Sequence, residues 1–258
     1  MKNLESLFSM RGKIALVTGA GTGMGRRFSM RLAQAGAKVV CVARNRERLQ
    51  QVASEIRSQG CEAVAIDGDV GQTASVERIF DAAEGAFGRV NVLVNCAAQV
   101  DFGMFPDIVD ENWENLLNVN LSGMMRTCRS FSRRLLAAGA TGTIVNVTSI
   151  IGDQVMAGLP TYGTLKAAAN QLTRSIARDL SGRGIRANGL APGYFDTEMS
   201  SLLFASDEGK ALLERHPLKR LGDVAELDGP LLLLASDASS HMNGEILTVD
   251  AGHSIQLA

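Results

Sequence analysis

The sequence predicts an α/β fold: a doubly wound parallel sheet of about seven strands with helices on both faces, in one domain spanning residues 1–258. Three observations predict it. Short apolar runs alternate with helix-length amphipathic segments along the chain. The connections between them are short, and no repeat or linker divides the chain. Apolar residues make up 46% of the chain and charged residues 21%, which is typical of globular proteins.

The predicted strands are short apolar runs, as expected where both faces of a parallel sheet are covered. Ile14–Val17 is the first, because four apolar residues end in Thr18-Gly19. The others have the same character. In order, they are Val39–Ala43, Ala63–Ile66, Val92–Val94, Thr143–Val147, Gly184–Ala191 and Ile246–Val249.

The predicted helices have apolar residues at three- and four-residue spacing. In the first, Met24–Ala35, this spacing forms one apolar face, and Gly36 follows as a stop. The segment Tyr194–Pro217 has no clear strand, and we expect an insertion there with helical pieces that covers part of the protein. The remaining predicted helices are Arg46–Gln59, Val76–Phe87, Asp110–Leu136 with a break near Asn118 to Gly123, and Thr161–Leu180.

Composition narrows the class of partner. The 26 basic and 27 acidic residues give a net charge of −1, which argues against electrostatic binding of nucleic acid or an anionic membrane. Met1–Arg11 has no usable export signal, and Leu231–Ala235 is too short to span a bilayer. The four cysteines lack CxxC spacing and the three histidines lie far apart, so we expect reduced thiols and no metal site. We therefore expect a cytoplasmic protein with a small-molecule substrate.

A glycine-rich turn follows the first predicted strand. It reads T-G-x-x-x-G-x-G, with Gly19, Gly23 and Gly25 as fixed points. The first glycine permits a tight turn, the middle ones let backbone N–H groups approach a pyrophosphate, and the last lets the helix pack closely on the sheet. The positive end of the helix then favours phosphate groups. The turn predicts a Rossmann-type dinucleotide site; the alternative is a glycine-rich turn without a ligand.

The end of the second predicted strand bears on which dinucleotide binds. NAD-binding units usually place an acidic residue there, but here Ala43 occupies that position and Arg44 follows. A guanidinium group suits the 2′-phosphate of NADP, and no carboxylate opposes it. We therefore favour NADP(H), with NAD(H) possible. The alternative is that Arg44, Arg46 and Arg48 form only the solvated start of a helix.

A tyrosine and a lysine stand four residues apart on a predicted helix. Tyr162 and Lys166 therefore share one helix face, beside the expected ligand crevice. The ammonium would lower the pKa of the phenol and make Tyr162 a usable acid or base. Ser149 ends the fifth predicted strand, and its hydroxyl can stabilise a developing alkoxide. Thr148 competes for that role, although strand alternation points the two in opposite directions.

Together these residues resemble the short-chain dehydrogenase/reductase family over nearly the whole chain. Any one motif is weak, but the ordered set is specific. The resemblance rests on Thr18-Gly19…Gly23-x-Gly25, Asp69-Val70, Asn95-Cys96-Ala97-Ala98, Asn120, Ser149, Tyr162-x-x-x-Lys166, Asn188, and Pro192-Gly193 with Thr197.

The resemblance implies a role for each matching position. Tyr162 would donate or accept the proton, Ser149 would polarise the carbonyl or hydroxyl, and Lys166 would lower the pKa of Tyr162 and bind the nicotinamide ribose. Asn120 would hold a water that relays protons from Lys166. Asp69 would contact adenine, and Asn95 would line the adenosine side. The expected cofactor-binding residues are Gly19, Thr22, Gly23, Met24, Gly25, Arg44, Asp69, Val70, Asn95, Ala97, Tyr162, Lys166, Pro192, Gly193 and Thr197.

Three positions depart from the family pattern. Ala98 replaces a glycine beside the cofactor, and its methyl group narrows the approach. Leu165 stands where the family usually has Ser or Ala. Thr22 replaces the basic residue that some NADP-preferring relatives carry, which weakens the case for NADP. None of these changes removes a reacting group.

The expected activity is the reversible interconversion of a secondary alcohol and a ketone by hydride transfer, with Tyr162 as acid or base. Ala191–Met199 looks like that segment in sugar-acid and polyol dehydrogenases of the gluconate 5-dehydrogenase type. The alternatives are a 3-oxoacyl-acyl-carrier-protein reductase and a non-catalytic dinucleotide sensor or scaffold. The resemblance also implies a homotetramer, with Asp110–Leu136 and Thr161–Leu180 at one interface. The candidate substrate-contacting residues are Gln99, Ser149, Gln154, Met156, Tyr162, Tyr194 and Met199.

Overall fold

The computed structural model describes residues 4–255, so the first and last three residues of the expected domain lie outside the described part. It contains one sheet of seven parallel strands. The strands are β1 (Ile14–Thr18), β2 (Lys38–Ala43), β3 (Ala63–Asp67), β4 (Val92–Asn95), β5 (Gly142–Val147), β6 (Ile185–Pro192) and β7 (Ile246–Val249). Their order across the sheet is β3-β2-β1-β4-β5-β6-β7, which confirms the predicted doubly wound architecture.

Helices connect the strands and cover both faces of the sheet. The α-helices are α1 (Leu4–Phe8), α2 (Gly23–Gln34), α3 (Arg46–Ser58), α4 (Thr73–Phe87), α5 (Asp110–Leu116), α6 (Met124–Ala137), α7 (Pro160–Leu180), α8 (Glu198–Ala205), α9 (Asp207–Glu214) and α10 (Asp228–Ala235). A π-helical segment, Leu117–Gly123, joins α5 to α6. None of the helices in the described part of the chain combines the length and apolar character needed to cross a membrane.

Two hydrophobic cores lie on opposite faces of the sheet. Side chains alternate along β1, so Val17 joins one core and Leu16 the other. The first core packs β-strand residues against α2, α3 and α10, including Phe28 and Leu231. The second packs them against α4, α6 and α7, including Phe131. Each such buried side chain contributes about 1.5–3 kcal/mol, which is why the strands are almost wholly apolar.

The helix predictions hold with two additions. The expected break near Asn118 to Gly123 is the π-helical segment, and the expected insertion at Tyr194–Pro217 contains α8 and α9. Sequence periodicity missed α1 and α10. In α10, four consecutive leucines begin at Leu231, so the segment is apolar on every side and shows no helical period.

Helix α10 is tied to α2 by charge as well as by packing. The carboxylate of Asp228 accepts hydrogen bonds from Arg27 (Nε to Oδ1, 2.9 Å) and Arg31 (Nε to Oδ2, 2.8 Å). The Asp228 side chain is only 14% exposed. The two guanidinium groups hold its pKa below the ordinary value although burial opposes this. The start of α10 is therefore fixed to the helix that follows the glycine turn.

Strand order determines where a ligand can bind. The chain leaves β1 toward β2 on one side, while β4 lies on the other side of β1. Connections that diverge from neighbouring strands leave a crevice at the carboxyl ends of those strands. The glycine turn after β1 and the loops after β4, β5 and β6 all reach this edge.

Candidate active site

The glycine turn between β1 and α2 is compressed against its neighbours. Gly19 has φ +70°, and a Cβ there would lie 2.9 Å from the main chain of Ala97. A Cβ on Gly25 would lie far inside the van der Waals radius of the carbonyl oxygen of Gly19. The hydroxyl of Thr18 accepts hydrogen bonds from the N–H groups of Cys96 and Ala97, both at 3.1 Å. The glycine turn and the loop after β4 are therefore in direct contact, with no side chain between their backbones.

A cleft of about 480 Å³ runs along the carboxyl ends of the strands. A pocket of this size is ordinary for a small-molecule or cofactor site. Most of the predicted site residues line it. They are Gly19, Thr22, Gly23, Met24, Gly25, Arg44, Asp69, Val70, Ala97, Gln99, Ser149, Tyr162, Lys166, Pro192, Gly193, Thr197 and Met199.

Two hydroxyl-bearing side chains, Tyr162 and Ser149, lie with Lys166 at one end of this cleft. Tyr162 lies near the start of α7, and its phenol lies beside Ser149, whose hydroxyl lowers the pKa of the phenol. Lys166, one helical turn later, is 3% exposed, and its Nζ lies 5.3 Å from the centroid of the Tyr162 ring. The same Nζ donates a 2.8 Å hydrogen bond to the carbonyl of Val147. Thr148 instead directs its hydroxyl toward the carbonyl of Leu190, at 3.4 Å.

The electrostatics differ from the sequence-based expectation. Burial raises the pKa of Tyr162 above its ordinary value, and the neighbouring Ser149 hydroxyl opposes this only in part. Burial also lowers the pKa of Lys166 to about 8. The two shifts have the same cause, because burial disfavours the charged form of each group, the phenolate of Tyr162 and the ammonium of Lys166. Among the protein groups alone, Tyr162 is a neutral phenol at physiological pH.

Asn120 lies in the π-helical segment, 2% exposed, and does not line the cleft. Its side chain pairs with the main chain of Gln99: Oδ1 accepts from the N–H and Nδ2 donates to the carbonyl, both at 2.8 Å. The observed task of the side chain is therefore to fix the loop after β4. A role for Asn120 in a water relay remains a prediction.

Two arginines and two carboxylates line the end of the cleft that follows β2, the expected adenosine end. Ala43 lines it at the end of β2, and Arg44 follows as an exposed residue. Arg44 makes no hydrogen bond or ion pair with any residue from 4 to 255. Asp69 lines the same end, where its Oδ1 accepts from the N–H of Gly71 at 2.8 Å. Arg48 also reaches the cleft and pairs with Glu198 at 2.9 Å.

Four predicted contact residues are not among those that line this cleft. Asn95 was expected to line the adenosine side, but its side chain is buried under the sheet, where it donates to Asn146 Oδ1 at 2.9 Å. The phenol of Tyr194 instead lies 3.5 Å from the sulfur of Met156. Its ring packs on His253, with centroids 4.9 Å apart. Neither Tyr194, Met156 nor Gln154 is among the residues that line the cleft.

Several cleft residues were not predicted as site residues. Those that end strands could have been found from their positions, because the carboxyl ends of all strands meet at this edge. Glu198 carries no such signal in the sequence. Burial raises the pKa of Cys96 to about 12, so its thiol lines the cleft as a neutral, unreactive group. The additional lining residues are Gly21, Val42, Ala43, Asn45, Arg48, Gly68, Cys96, Ala98, Val119, Val147, Thr148 and Glu198.

Known proteins match this chain over almost its full length. The model of the short-chain dehydrogenase family matches residues 13–208. Gluconate 5-dehydrogenase of Gluconobacter oxydans is 35% identical over 97% of this chain and 98% of that protein. A 3-oxoacyl-acyl-carrier-protein reductase of Staphylococcus epidermidis is 32% identical over 93% of this chain and 98% of that protein.

Solved structures agree with the sequence comparison. A gluconate 5-dehydrogenase from Burkholderia cenocepacia, in complex with NADP and tartrate, superposes with a TM-score of 0.94 at 34% identity, covering 99% of this chain and 100% of that chain. The matched span includes the glycine turn, Ser149, Tyr162 and Lys166. The chain belongs to the short-chain dehydrogenase family and is an oxidoreductase acting on hydroxyl or keto groups.

Proposed function

We propose that this chain interconverts a secondary alcohol and a ketone on a sugar acid, polyol or similar small polyhydroxy compound, using NADP(H). The observation that carries the proposal is the meeting of Tyr162, Ser149 and Lys166 at one end of the cleft. The relatives named for gluconate support the substrate class. The alternative of a non-catalytic sensor is disfavoured because all three reactive side chains lie in the same cleft.

The cleft fits a nicotinamide dinucleotide on its own features. The compressed glycine turn leaves backbone N–H groups at the start of α2 open toward a pyrophosphate. Arg44, exposed and unpaired with residues 4–255, suits a 2′-phosphate, and Ala43 offers no carboxylate to oppose it. The cofactor supplies hydride transfer when bound. NADP is the ligand named in the Burkholderia structure, which supports the same preference here.

Side chains of the protein carry out the proton transfer. A neutral Tyr162 phenol can donate its proton to a carbonyl oxygen as that oxygen gains negative charge. Ser149, which lies beside the phenol, offers a second donor to the same oxygen. Lys166 is held by the carbonyl of Val147, and its pKa of about 8 lets it gain or lose a proton near physiological pH. Ketone reduction uses the protonated phenol as the acid, and alcohol oxidation uses the phenolate as the base.

One surface feature favours a second candidate, an acyl-thioester reductase. The loop that leaves the cleft after Gln99 exposes Phe102, Met104 and Phe105, which are 50%, 59% and 74% exposed. The N–H of Gly103 binds the carbonyl of Gly158 at 3.0 Å, which joins this loop to the segment before α7. An apolar strip next to a catalytic end suits an acyl chain better than a sugar acid.

A parallel substrate screen tests the proposal. Polyols, keto-sugar acids and an acetoacetyl thioester are assayed with NADP(H) and NAD(H) by nicotinamide absorbance. We expect turnover of a sugar acid or polyol, with higher kcat/KM for NADP(H). Exclusive turnover of the thioester would instead establish the second candidate. Cofactor binding without turnover of any hydroxyl or keto compound would contradict both.

We also propose a homotetramer in the cytoplasm. Partly exposed apolar side chains lie on the helices expected at an interface: Trp113 on α5, Met125 on α6, and Leu172 and Ile176 on α7. Such side chains on neighbouring helices suit burial by a second copy. The wide cysteine spacing supports a reducing compartment. Sedimentation equilibrium should give four times the mass of 27.4 kDa, and a monomeric mass would contradict the assembly.

A further inference from the structure

One ion pair crosses the adenosine end of the cleft. Arg48, on α3, places Nη1 2.9 Å from Oε2 of Glu198, the first residue of α8. Both side chains line the cleft. The pair joins residues 150 positions apart, so it ties the segment that covers the cleft to the helix that follows β2.

Local hydrogen bonds fix the backbone from which each partner projects. The side chain of Asn45 caps α3 by accepting from the N–H of Arg48 at 3.0 Å. On the other side, the N–H of Thr197 donates to the hydroxyl of Ser200 at 3.0 Å, which fixes the start of α8. Glu198 thus presents a carboxylate to the same end of the cleft as Arg44.

This carboxylate opposes the ligand that the arginines favour. A 2′-phosphate and Glu198 carry like charges, and both are suited to the guanidinium of Arg48. Of the two cleft arginines at this end, Arg44 has no partner within residues 4–255, while Arg48 is already engaged. A 2′-phosphate that used the same Nη1 of Arg48 would have to displace the carboxylate, because the two anions repel each other.

We propose that Glu198 is a specificity-determining residue that competes with the 2′-phosphate of NADP for Arg48. The inference rests on the proposed use of NADP(H). On NADP binding, the Arg48–Glu198 pair is exchanged for an Arg48–phosphate pair; on NAD binding, the ion pair persists. Glu198 therefore makes the preference for NADP over NAD smaller than the preference that Ala43 and Arg44 alone would give.

The size of the effect follows from the exposure of the pair. The Arg48 and Glu198 side chains are 52% and 68% exposed, so water and salt screen their attraction. Removing such a competitor should strengthen phosphate binding by about two- to fivefold at low ionic strength. The gain should shrink as salt is added.

The test uses equilibrium binding of two cofactor fragments, so it does not depend on catalysis. Isothermal titration of 2′-phosphoadenosine 5′-phosphate and of 5′-AMP is performed on wild type and Glu198→Gln. We expect the ratio of the two affinities to rise about two- to fivefold in Glu198→Gln, mainly through the phosphorylated fragment. Glu214→Gln removes an equally charged residue that pairs with Lys219 outside the cleft, and its ratio should equal that of wild type.

A double-mutant cycle shows whether Glu198 acts through Arg48. In the Arg48→Gln background, Glu198→Gln should no longer change the ratio beyond the effect of Glu214→Gln. An unchanged ratio in Glu198→Gln, or an equal change for both fragments, would overturn the competition. If wild type bound neither fragment, the proposed cofactor use would fail, which is a different result from an unchanged ratio in a protein that binds both.

Discussion

Replacing Tyr162 with Phe removes one hydroxyl group from the catalytic end of the cleft. The change keeps the ring, which packs under the Nζ of Lys166 at 5.3 Å, and removes the polar group beside Ser149. Even a full hydrogen bond contributes only about 0.5–1.5 kcal/mol to folding stability, so the variant should fold. The effect on catalysis should be far larger than the effect on stability.

The expected loss of activity is large because the cleft offers no good replacement for Tyr162 as a proton donor. The Nζ of Lys166 is engaged by the carbonyl of Val147, and burial raises the pKa of the Cys96 thiol to about 12. Loss of general acid–base catalysis costs 10²- to 10⁴-fold. We expect kcat/KM to fall by about 10³ in Tyr162→Phe, which corresponds to about 4 kcal/mol of transition-state stabilisation.

The chain offers a matched control, because it contains only two tyrosines. Tyr194 makes a weak contact with a sulfur at 3.5 Å and does not line the cleft. Steady-state assays with the substrate identified by screening should show Tyr194→Phe within a few-fold of wild type. Dinucleotide binding, measured by titration, should be retained in both variants.

The same pair of variants isolates the ionisation of Tyr162. In Tyr194→Phe, the tyrosinate absorbance reports on Tyr162 alone, and it should appear only above the ordinary phenol pKa of about 10. Tyr162→Phe activity within tenfold of wild type would refute the acid–base assignment. Tyrosinate formation by Tyr162 below about pH 10 in the protein without cofactor would refute the electrostatic reasoning.

Three further changes test the fold and the electrostatics of the site. Gly25→Ala forces a methyl group against the carbonyl oxygen of Gly19. Denaturant titration should show a free energy of unfolding lower by about 1–3 kcal/mol, and dinucleotide binding should weaken. Unchanged stability would contradict the compressed turn. Lys166 has a lowered pKa in the folded state, so the unfolded state binds more protons between pH 8 and 10.5. The stability of wild type relative to Lys166→Met should therefore rise with pH, by on the order of 2 kcal/mol from pH 7 to 9.5, and a flat difference would contradict the burial of an ionisable lysine. Asp228→Asn weakens the bonds to two arginines of α2, so it should lower the free energy of unfolding by about 1–3 kcal/mol above about pH 4 and leave it unchanged once acid protonates Asp228. The exposed control Asp207→Asn should lower it by less than about 0.5 kcal/mol. Equal losses in the two variants would contradict the role of burial.

Local sequence patterns were enough to predict much of the site. The seven strands follow from short apolar runs, because the central strands of the sheet are buried on both faces. The glycine turn follows from its spacing between a strand and a helix. Tyr162 and Lys166 share the cleft because four-residue spacing places them on one helix face, and Ser149 joins them because it ends the adjacent strand.

The tertiary structure decided what depends on surroundings assembled from distant parts of the chain. The side chain of Asn95 is buried because Asn146 offers it a buried hydrogen-bond partner. Arg48 finds Glu198 across the cleft, although no local pattern links them. The pKa of Tyr162 rises and that of Lys166 falls because the folded chain buries both side chains. Periodicity and spacing are properties of neighbouring residues, whereas desolvation and ion pairing arise only once the sheet and its covering helices have come together.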